Sequence, residues 1–440
     1  MSIGTISVIG ILIGVVCLIF LSYKGVPPIF VAPLSATIVL IFSRQNIVNG
    51  LTGTYMSGFG SFASRYFLVF LSGSIYGSIM GDSGAAKSLG LKFSRLAKKS
   101  KKNAKLFTVL SIVAVSTILA YGGISSFVAM FTIIAVAKEL YREMDVPWGL
   151  YGCQILGSGC IAMSMLPGTP SVPNIIASTT LGTPPTAAPV IGILSALFAL
   201  FIGIIYISWE LRRAEKNREG FYPTGAEIAK TIIKEDGSFQ EINTILCLVP
   251  SIVLVVVLNV LKQHIVVATF SAIVLAYILY WKRLSGKLET AKAGAAVAIN
   301  SICVASMVIA FGTVVSNSPG FESVIRLLDK VPGPSVVQLI ISVNIAAGIT
   351  GSASGGLTIA LDALSQRFLD MGMNPEIIHR ISCISCGGLD SLPHNGSIIN
   401  ELTIAKLTHK TGYRPMGVCS VVIPVTTVIF AAILSQLGIV

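Results

Sequence analysis

Apolar stretches of ~20 residues, the length a helix needs to cross the hydrocarbon core of a bilayer, recur from one end of this chain to the other. Inside lipid the backbone has no water to bond with, so only helices and closed barrels can span. A barrel would show short strands of alternating polarity, and none are evident. With 53% hydrophobic and 11% charged residues over 440 positions, the sequence does not suit a soluble domain either. The expected class is an all-α polytopic membrane protein. The formal charge of +12 is carried in short loops between apolar runs, where it signals topology and gives no ground for a nucleic-acid partner.

Candidate spans cover residues 3–22, 26–43 and 65–81. The first lacks a small-residue cleavage site and is expected to be a retained span, not a signal peptide. The loop 83–105 carries Lys87, Lys92, Arg95, Lys98, Lys99, Lys101, Lys102 and Lys105 without an acid. The positive-inside rule puts this loop in the cytoplasm, and the three crossings before it put the N-terminus outside. Residues 106–137 are apolar but interrupted at Tyr121-Gly122-Gly123-Ile124-Ser125-Ser126. Arms of about 15 residues suit a re-entrant hairpin better than full spans. Residues 149–183 read as a span broken at 166–174, and 187–209 return to the cytoplasm. A polar linker, 210–241, has charges of both signs. Beyond it come spans 242–261, 265–281 and 295–316, a second interrupted pair over 335–369, a span broken at 389–396, and a last span over 416–437.

The two halves match. Gly77-Ser78-Ile79-Met80-Gly81-Asp82-Ser83 aligns with Gly312-Thr313-Val314-Val315-Ser316-Asn317-Ser318, and the broken spans pair Pro167 with Pro393, 226 positions on. Each half is read as five transmembrane helices plus one re-entrant hairpin. An odd number of crossings inserts the halves upside down relative to each other. The expected plan is two inverted-topology repeats, residues 1–209 and 242–440 joined by the linker 210–241, with broken helices near the midplane, as in secondary transporters. Of 31 Lys and Arg, seven (Arg44, Arg65, Lys262, Arg326, Lys330, Arg367, Arg380) fall outside or at outer span ends, leaving 24 on the cytoplasmic side.

In such a plan substrate sits where the broken elements meet, and half-helix N-termini offer donors to anions. One constellation combines Ser125 and Ser126 with Thr169, Ser171 and Asn174; the other combines Ser352 and Ser354 with Ser391, His394 and Asn395. Hydroxyls, amides and exposed backbone suit a small hydroxylated carboxylate. Serines and glycines also let helices pack closely, and it is their repetition in both halves that favours a site. Acids at membrane depth cost roughly 2.5–3.5 kcal/mol each on insertion scales. Asp390, four residues before His394, could share a proton with it, since histidine titrates near neutrality; Asp390 is also placed to cap a broken helix. Asp82 reads as an interfacial cap, and Asp362 and Glu401 have no assigned role. Cys383-x-x-Cys386 lacks the second pair or histidines of a zinc site and reads as packing, so no metal is expected. Walker A, HExxH and GxSxG sequences are absent; ATP-driven pumping and the common hydrolase mechanisms lack their parts, and an enzyme is not expected.

Three motifs carry a resemblance that runs over nearly the whole chain: Gly81-Asp82-Ser83-Gly84-Ala85-Ala86, Leu166-Pro167-Gly168-Thr169-Pro170 with Asn174, and Leu389-Asp390-Ser391-Leu392-Pro393-His394-Asn395-Gly396. With these the chain resembles the gluconate permease (GntP-type) family of the ion transporter superfamily. The resemblance implies a proton-coupled symporter of the bacterial inner membrane for sugar acids or short hydroxy acids such as gluconate, glycerate or hydroxybutyrate. It also implies a scaffold domain, a moving transport domain and, often, a homodimer. No cofactor is implied beyond the coupling proton, although related superfamily members use sodium. The alternatives within the superfamily are a cation/proton antiporter and a sodium-coupled carboxylate symporter. The charge asymmetry yields one direct expectation. A tag fused to either terminus is reached by a membrane-impermeant reagent from outside intact cells, and labelling that required permeabilisation would overturn the assigned topology.

Overall fold

The computed structural model describes residues 3–98, 103–121, 126–169, 171–231, 240–261, 263–328 and 332–440, and every regular element among them is helical. The chain is a polytopic helical membrane protein. Its first helix, α1 (Ile3–Tyr23), buries Ser7, Ile11, Gly14 and Leu18 while exposing Leu12, Val16 and Phe20. Such a surface, with large apolar groups outward and small or polar ones inward, belongs against lipid. Among the described residues five helical stretches are long and apolar enough to cross a membrane: Ile3–Tyr23, Ala104–Tyr121, Pro189–Lys216, Lys287–Ser316 and His409–Gln436.

The first half continues with α2 (Pro28–Phe42), α3 (Met56–Asp82), the short α4 (Ala85–Lys98), and the hairpin arms α5 (Ala104–Tyr121) and α6 (Ser126–Glu143). A broken span follows: 3-10 turns over Trp148–Gln154, wide π-type turns over Leu156–Met165, and α7 (Val172–Leu181). The half closes with α8 (Pro189–Lys216). The second half repeats this order. It comprises α9 (Thr244–Asn259), α10 (Ile265–Tyr280), α11 (Lys287–Ser316), the short α12 (Pro319–Leu328), hairpin arms α13 (Ser335–Thr350) and α14 (Ala353–Asp370), and a broken span of α15 (Pro375–Cys386) and α16 (Gly396–Ile404). The stretch His409–Gln436, which ends in α17 (Ile423–Gln436), completes it.

Three boundaries differ from the sequence reading. Helix does not begin at Arg65. It starts at Ile47, passes through wide turns over Gly50–Tyr55 and runs unbroken to Asp82, which puts Arg65 well inside. Likewise α11 starts eight residues earlier than the apolar run beginning at 295, and α8 continues to Lys216, into the expected linker. The reason is the same for the first two: α3 and α11 pack on each other along their length, so small and polar residues replace lipid-facing ones. Gly58 lies against Ala310 and Thr313, and Gly294 lies against Ser74 and Ile75. The two helices therefore run antiparallel. The Ser74 hydroxyl donates to Gly294 O (2.7 Å), and the Asp82 carboxylate accepts from the Ser285 and Thr290 hydroxyls (2.7 and 2.6 Å). Asp82 thus ties the end of α3 to the start of α11.

Loops gather at two opposite faces. At one, Lys105 Nζ donates to Asp145 O (2.7 Å), Arg95 pairs with Glu241, and Arg414 pairs with Glu210 (2.6 Å). The exposed Trp281 lies at the end of α10 and the exposed Trp209 two turns before the end of α8 on this face, where amphipathic rings favour the membrane–water boundary. At the other face the hydroxyls of Ser7 and Ser43 meet (2.7 Å), Gly320 N donates to Ser7 Oγ (2.8 Å), and Gln45 Nε2 donates to Asn317 O (3.1 Å).

The α3–α11 contact is tight enough to test. A Cβ on Gly294 would sit 2.7 Å from Ile75 Cα, which is backbone and cannot swing aside. Gly294→Ala is expected to destabilise the protein by about 1–3 kcal/mol, the usual cost of overpacking. Thermal unfolding in detergent would read this as a lower melting temperature, and an unchanged one would mean the two helices are not in contact there.

Candidate functional site

A helix broken at membrane depth exposes backbone groups that lipid cannot satisfy, so each must find a partner inside the protein. In the second half four consecutive carbonyls of the break find one. Between α15 and α16 the carbonyl of Asp390 accepts from Asn395 Nδ2 (2.8 Å) and that of Ser391 from Tyr413 Oη (3.0 Å). The Leu392 carbonyl accepts from Asn395 N (2.9 Å), and that of Pro393 from His409 Nε2 (2.8 Å). Asn395 also caps α16, its Oδ1 accepting from Ser397 N and Ile398 N (2.6 and 3.0 Å), an N-cap of the favoured type.

The tip of the second hairpin docks on this break. Gly351 closes α13 with φ +60°, a conformation costly for residues with a Cβ, and Ser352 caps α14 by accepting from Gly355 N (3.1 Å). Asn395 Nδ2 donates to Gly351 O (2.9 Å), and His394 Nε2 donates to Gly348 O (3.0 Å).

In the first half Asn174 plays a similar part. Its Nδ2 donates to Thr169 O and Pro185 O (2.9 and 3.1 Å), while its Oδ1 accepts from His379 Nε2 (2.8 Å) and Arg380 Nη1 (3.2 Å) of α15. Arg380, fully buried, also donates to Ala187 O (Nη2, 2.9 Å) and Pro185 O (3.2 Å). Glu376 accepts from Ala188 N (2.9 Å), and the Thr183 hydroxyl meets His379 Nδ1 (2.7 Å). The second half's α15 therefore grips the loop that follows the first half's break. Ser171 caps α7, and its hydroxyl donates to Met163 O (2.7 Å).

Between the paired helices α3 and α11 on one side and the two broken spans with the second hairpin tip on the other lies a cavity of about 490 Å³, within the range of small-molecule sites. Three helix N-termini open on it: Val172 and Pro173 of α7, Ser352 to Gly355 at the start of α14, and Asn395 to Ile398 at the start of α16. Their backbone dipoles make that wall favourable for an anion. Asp390, whose Oδ1 accepts from the Ser391 hydroxyl (2.9 Å), and Glu401, held by the Gln154 carboxamide, also line it. A second hollow, of about 850 Å³, lies along Val274 to Arg283 at one end of α10 and holds none of the expected site residues.

Of the residues expected from sequence, Ser352, Ser354, Ser391, Asn395 and Asp390 line the cavity. The others lie elsewhere. Thr169, Ser171 and Asn174 are buried in the knot that closes the first break, their polar atoms bonded to protein. Asn395 has both amide donors committed to backbone. His394 sits behind the cavity wall bonded to Gly348, with no hydrogen bond or ion pair to Asp390 and its Nδ1 buried without a partner among the described residues. Ser125, and the side chain of Ser126, fall outside the described residues. Arg380, counted from sequence as a residue of an outer span end, is interior. Asp362 is exposed on α14, while Cys383 and Cys386 are buried, the Cys386 thiol donating to Cys383 O (3.2 Å). Two charged cavity residues have no role assigned from sequence: Glu401, and Arg65, which the sequence places at a span end. The signal for Arg65 was present, because it is the sole charged residue between Arg44 and Asp82.

No protein-family model matches the chain. It is 28% identical to an uncharacterised transporter of Bacillus subtilis, YxjC, over 96% of this chain and 97% of that protein. Among solved structures, it resembles the YdaH transporter of Alcanivorax borkumensis, whose topology is described as unusual, with a TM-score of 0.39 and 14% identity across 89% of both chains.

The bonds of Asn395 at the second break can be tested by substitution. Asn395→Ala strips partners from Gly351 O, Asp390 O and two backbone N–H groups, each costing about 1–3 kcal/mol when buried and unpaired. Asn395→Asp keeps the cap but sets a buried carboxylate oxygen against the carbonyls of Gly351 and Asp390. Both variants are expected to melt below the parent; an alanine variant as stable as the parent would show that the side chain does not close the break.

Proposed function

We propose that this chain is a secondary transporter that carries a small hydroxylated organic anion, such as gluconate, glycerate or hydroxybutyrate, inward across the bacterial inner membrane together with at least one proton. The observation that carries the reading is the cavity where three helix N-termini converge, with hydroxyls from Ser352, Ser354 and Ser391 beside the carboxylate of Asp390. N-termini supply partial positive charge for a carboxylate, and serine hydroxyls match the hydroxyls of the substrate. Asp390 is the group that takes up and releases the coupling proton, since it faces the substrate space with the neighbouring Ser391 hydroxyl bonded to its carboxylate. The full-length likeness to a transporter supports this class over an enzyme.

The cavity's position supports alternating access. It lies between the α3–α11 pair and the hairpin and broken spans, so a shift of one group against the other opens it to either side, as in inverted-repeat transporters. In this reading α3 and α11 belong to the scaffold, the halves 1–209 and 242–440 are inverted copies, and the face bearing the 83–105 loop is cytoplasmic.

Uptake of labelled gluconate and 3-hydroxybutyrate into proteoliposomes under an imposed pH gradient tests this. Accumulation is expected to collapse with a protonophore and to persist when sodium is replaced by potassium. Asp390→Asn is expected to abolish gradient-driven accumulation while leaving substrate exchange at equal concentrations, because exchange needs no net proton movement. Uptake indifferent to the pH gradient, or full accumulation by the variant, would refute proton coupling through Asp390.

A further inference from the structure

Among the described residues that line the cavity, Arg65 is the one cation. The continuous helical stretch from Ile47 to Asp82 places Arg65 17 or 18 residues from either end. Arginines on membrane helices usually extend to the headgroups or pair with an acid. Among the described residues no carboxylate pairs with it; its guanidinium lies 5.8 Å from the ring of Tyr66. Nor does the repeated helix require a cation there, because α11 carries no charged residue between Lys292 and its end at Ser316.

What Arg65 does face is the cavity, whose wall it shares with Tyr66, Ser352, Ser354 and Asp390. A planar guanidinium presents a fork of donors that matches a carboxylate bidentately. From α3 it faces a space into which α7, α14 and α16 direct their N-terminal ends. We infer that Arg65 anchors the substrate's carboxylate and makes the site selective for monocarboxylates. The inference rests on the reading of the cavity as a substrate site and narrows it. One arginine neutralises one carboxylate. A dicarboxylate would bring its second charge towards Asp390 and Glu401, both on the same wall, where like charges repel. The amide of the same acid would fill the space without the charge.

The test uses the full chain purified in detergent, with ligand affinity read from thermal stabilisation and proteoliposome uptake measured in parallel. The probes are 3-hydroxybutyrate, gluconate, malate and 3-hydroxybutyramide, against the parent, Arg65→Gln and Arg65→Lys. The parent is expected to bind a monocarboxylate at least about tenfold more tightly than malate or the amide. Arg65→Gln should weaken monocarboxylate binding by roughly 10- to 100-fold, the range of a lost charge-assisted bond, and erase the preference for acid over amide. Arg65→Lys keeps the charge without the fork and should fall between them; it also serves if the glutamine variant does not fold. A monocarboxylate affinity unchanged in Arg65→Gln, or a parent that binds malate as tightly, overturns the role of Arg65 and leaves the transport reading intact. A parent that binds no acid in the panel overturns both. Binding that depends on Arg65 while uptake ignores the pH gradient supports the anchor and removes only the proton coupling.

Discussion

Each break in the membrane-buried backbone is closed by one asparagine whose carboxamide is fully engaged. Asn395 donates twice to carbonyls of its own break and of the hairpin tip, and accepts twice from the helix it caps. Asn174 donates twice to carbonyls around its own break and accepts from His379 and Arg380 of the other half, with the Cys383 thiol at a longer 3.9 Å. An asparagine offers two donors and an oxygen with two lone pairs, so neither has capacity left over. In a setting where an unpaired amide costs several kcal/mol, that saturation is what allows the helices to stop where they do. Once they stop, their N-termini are free to open on a common cavity.

The lipid-facing part of the fold was legible in the sequence because lipid demands uniform apolar surfaces. Helices α1, α2, α9 and α10 fall within a few residues of their expected ranges for that reason. The first half of the Ile47–Asp82 stretch was not legible. It is rich in Gly, Ser and Thr because its neighbour is another helix, and a run such as Met56-Ser57-Gly58-Phe59-Gly60-Ser61 looks like a loop to any argument based on burial in lipid. Close helix contact selects small residues, and sequence alone does not say which helix is the partner.

The site was half legible, along a line that has a physical meaning. Polar residues beside a helix break have two possible duties, to satisfy the broken backbone or to face a ligand, and their identity does not distinguish these. Thr169, Ser171, Asn174 and His394 do the first, Ser354 and Asp390 face the cavity, and Ser352 does both. Arg65 sits midway along a helical stretch that starts at Ile47, beyond residues too polar to read as a span, so its place on the cavity wall was not legible.

The grip of α15 on the first half has a consequence for how force passes through the molecule. Arg380 holds Pro185 and Ala187 by their carbonyl oxygens, and peptide oxygens do not titrate at any pH a cell meets, nor does a guanidinium give up its proton. These bonds therefore hold across the pH range, and they make α15 and the 182–188 loop a fixed joint between the two broken spans.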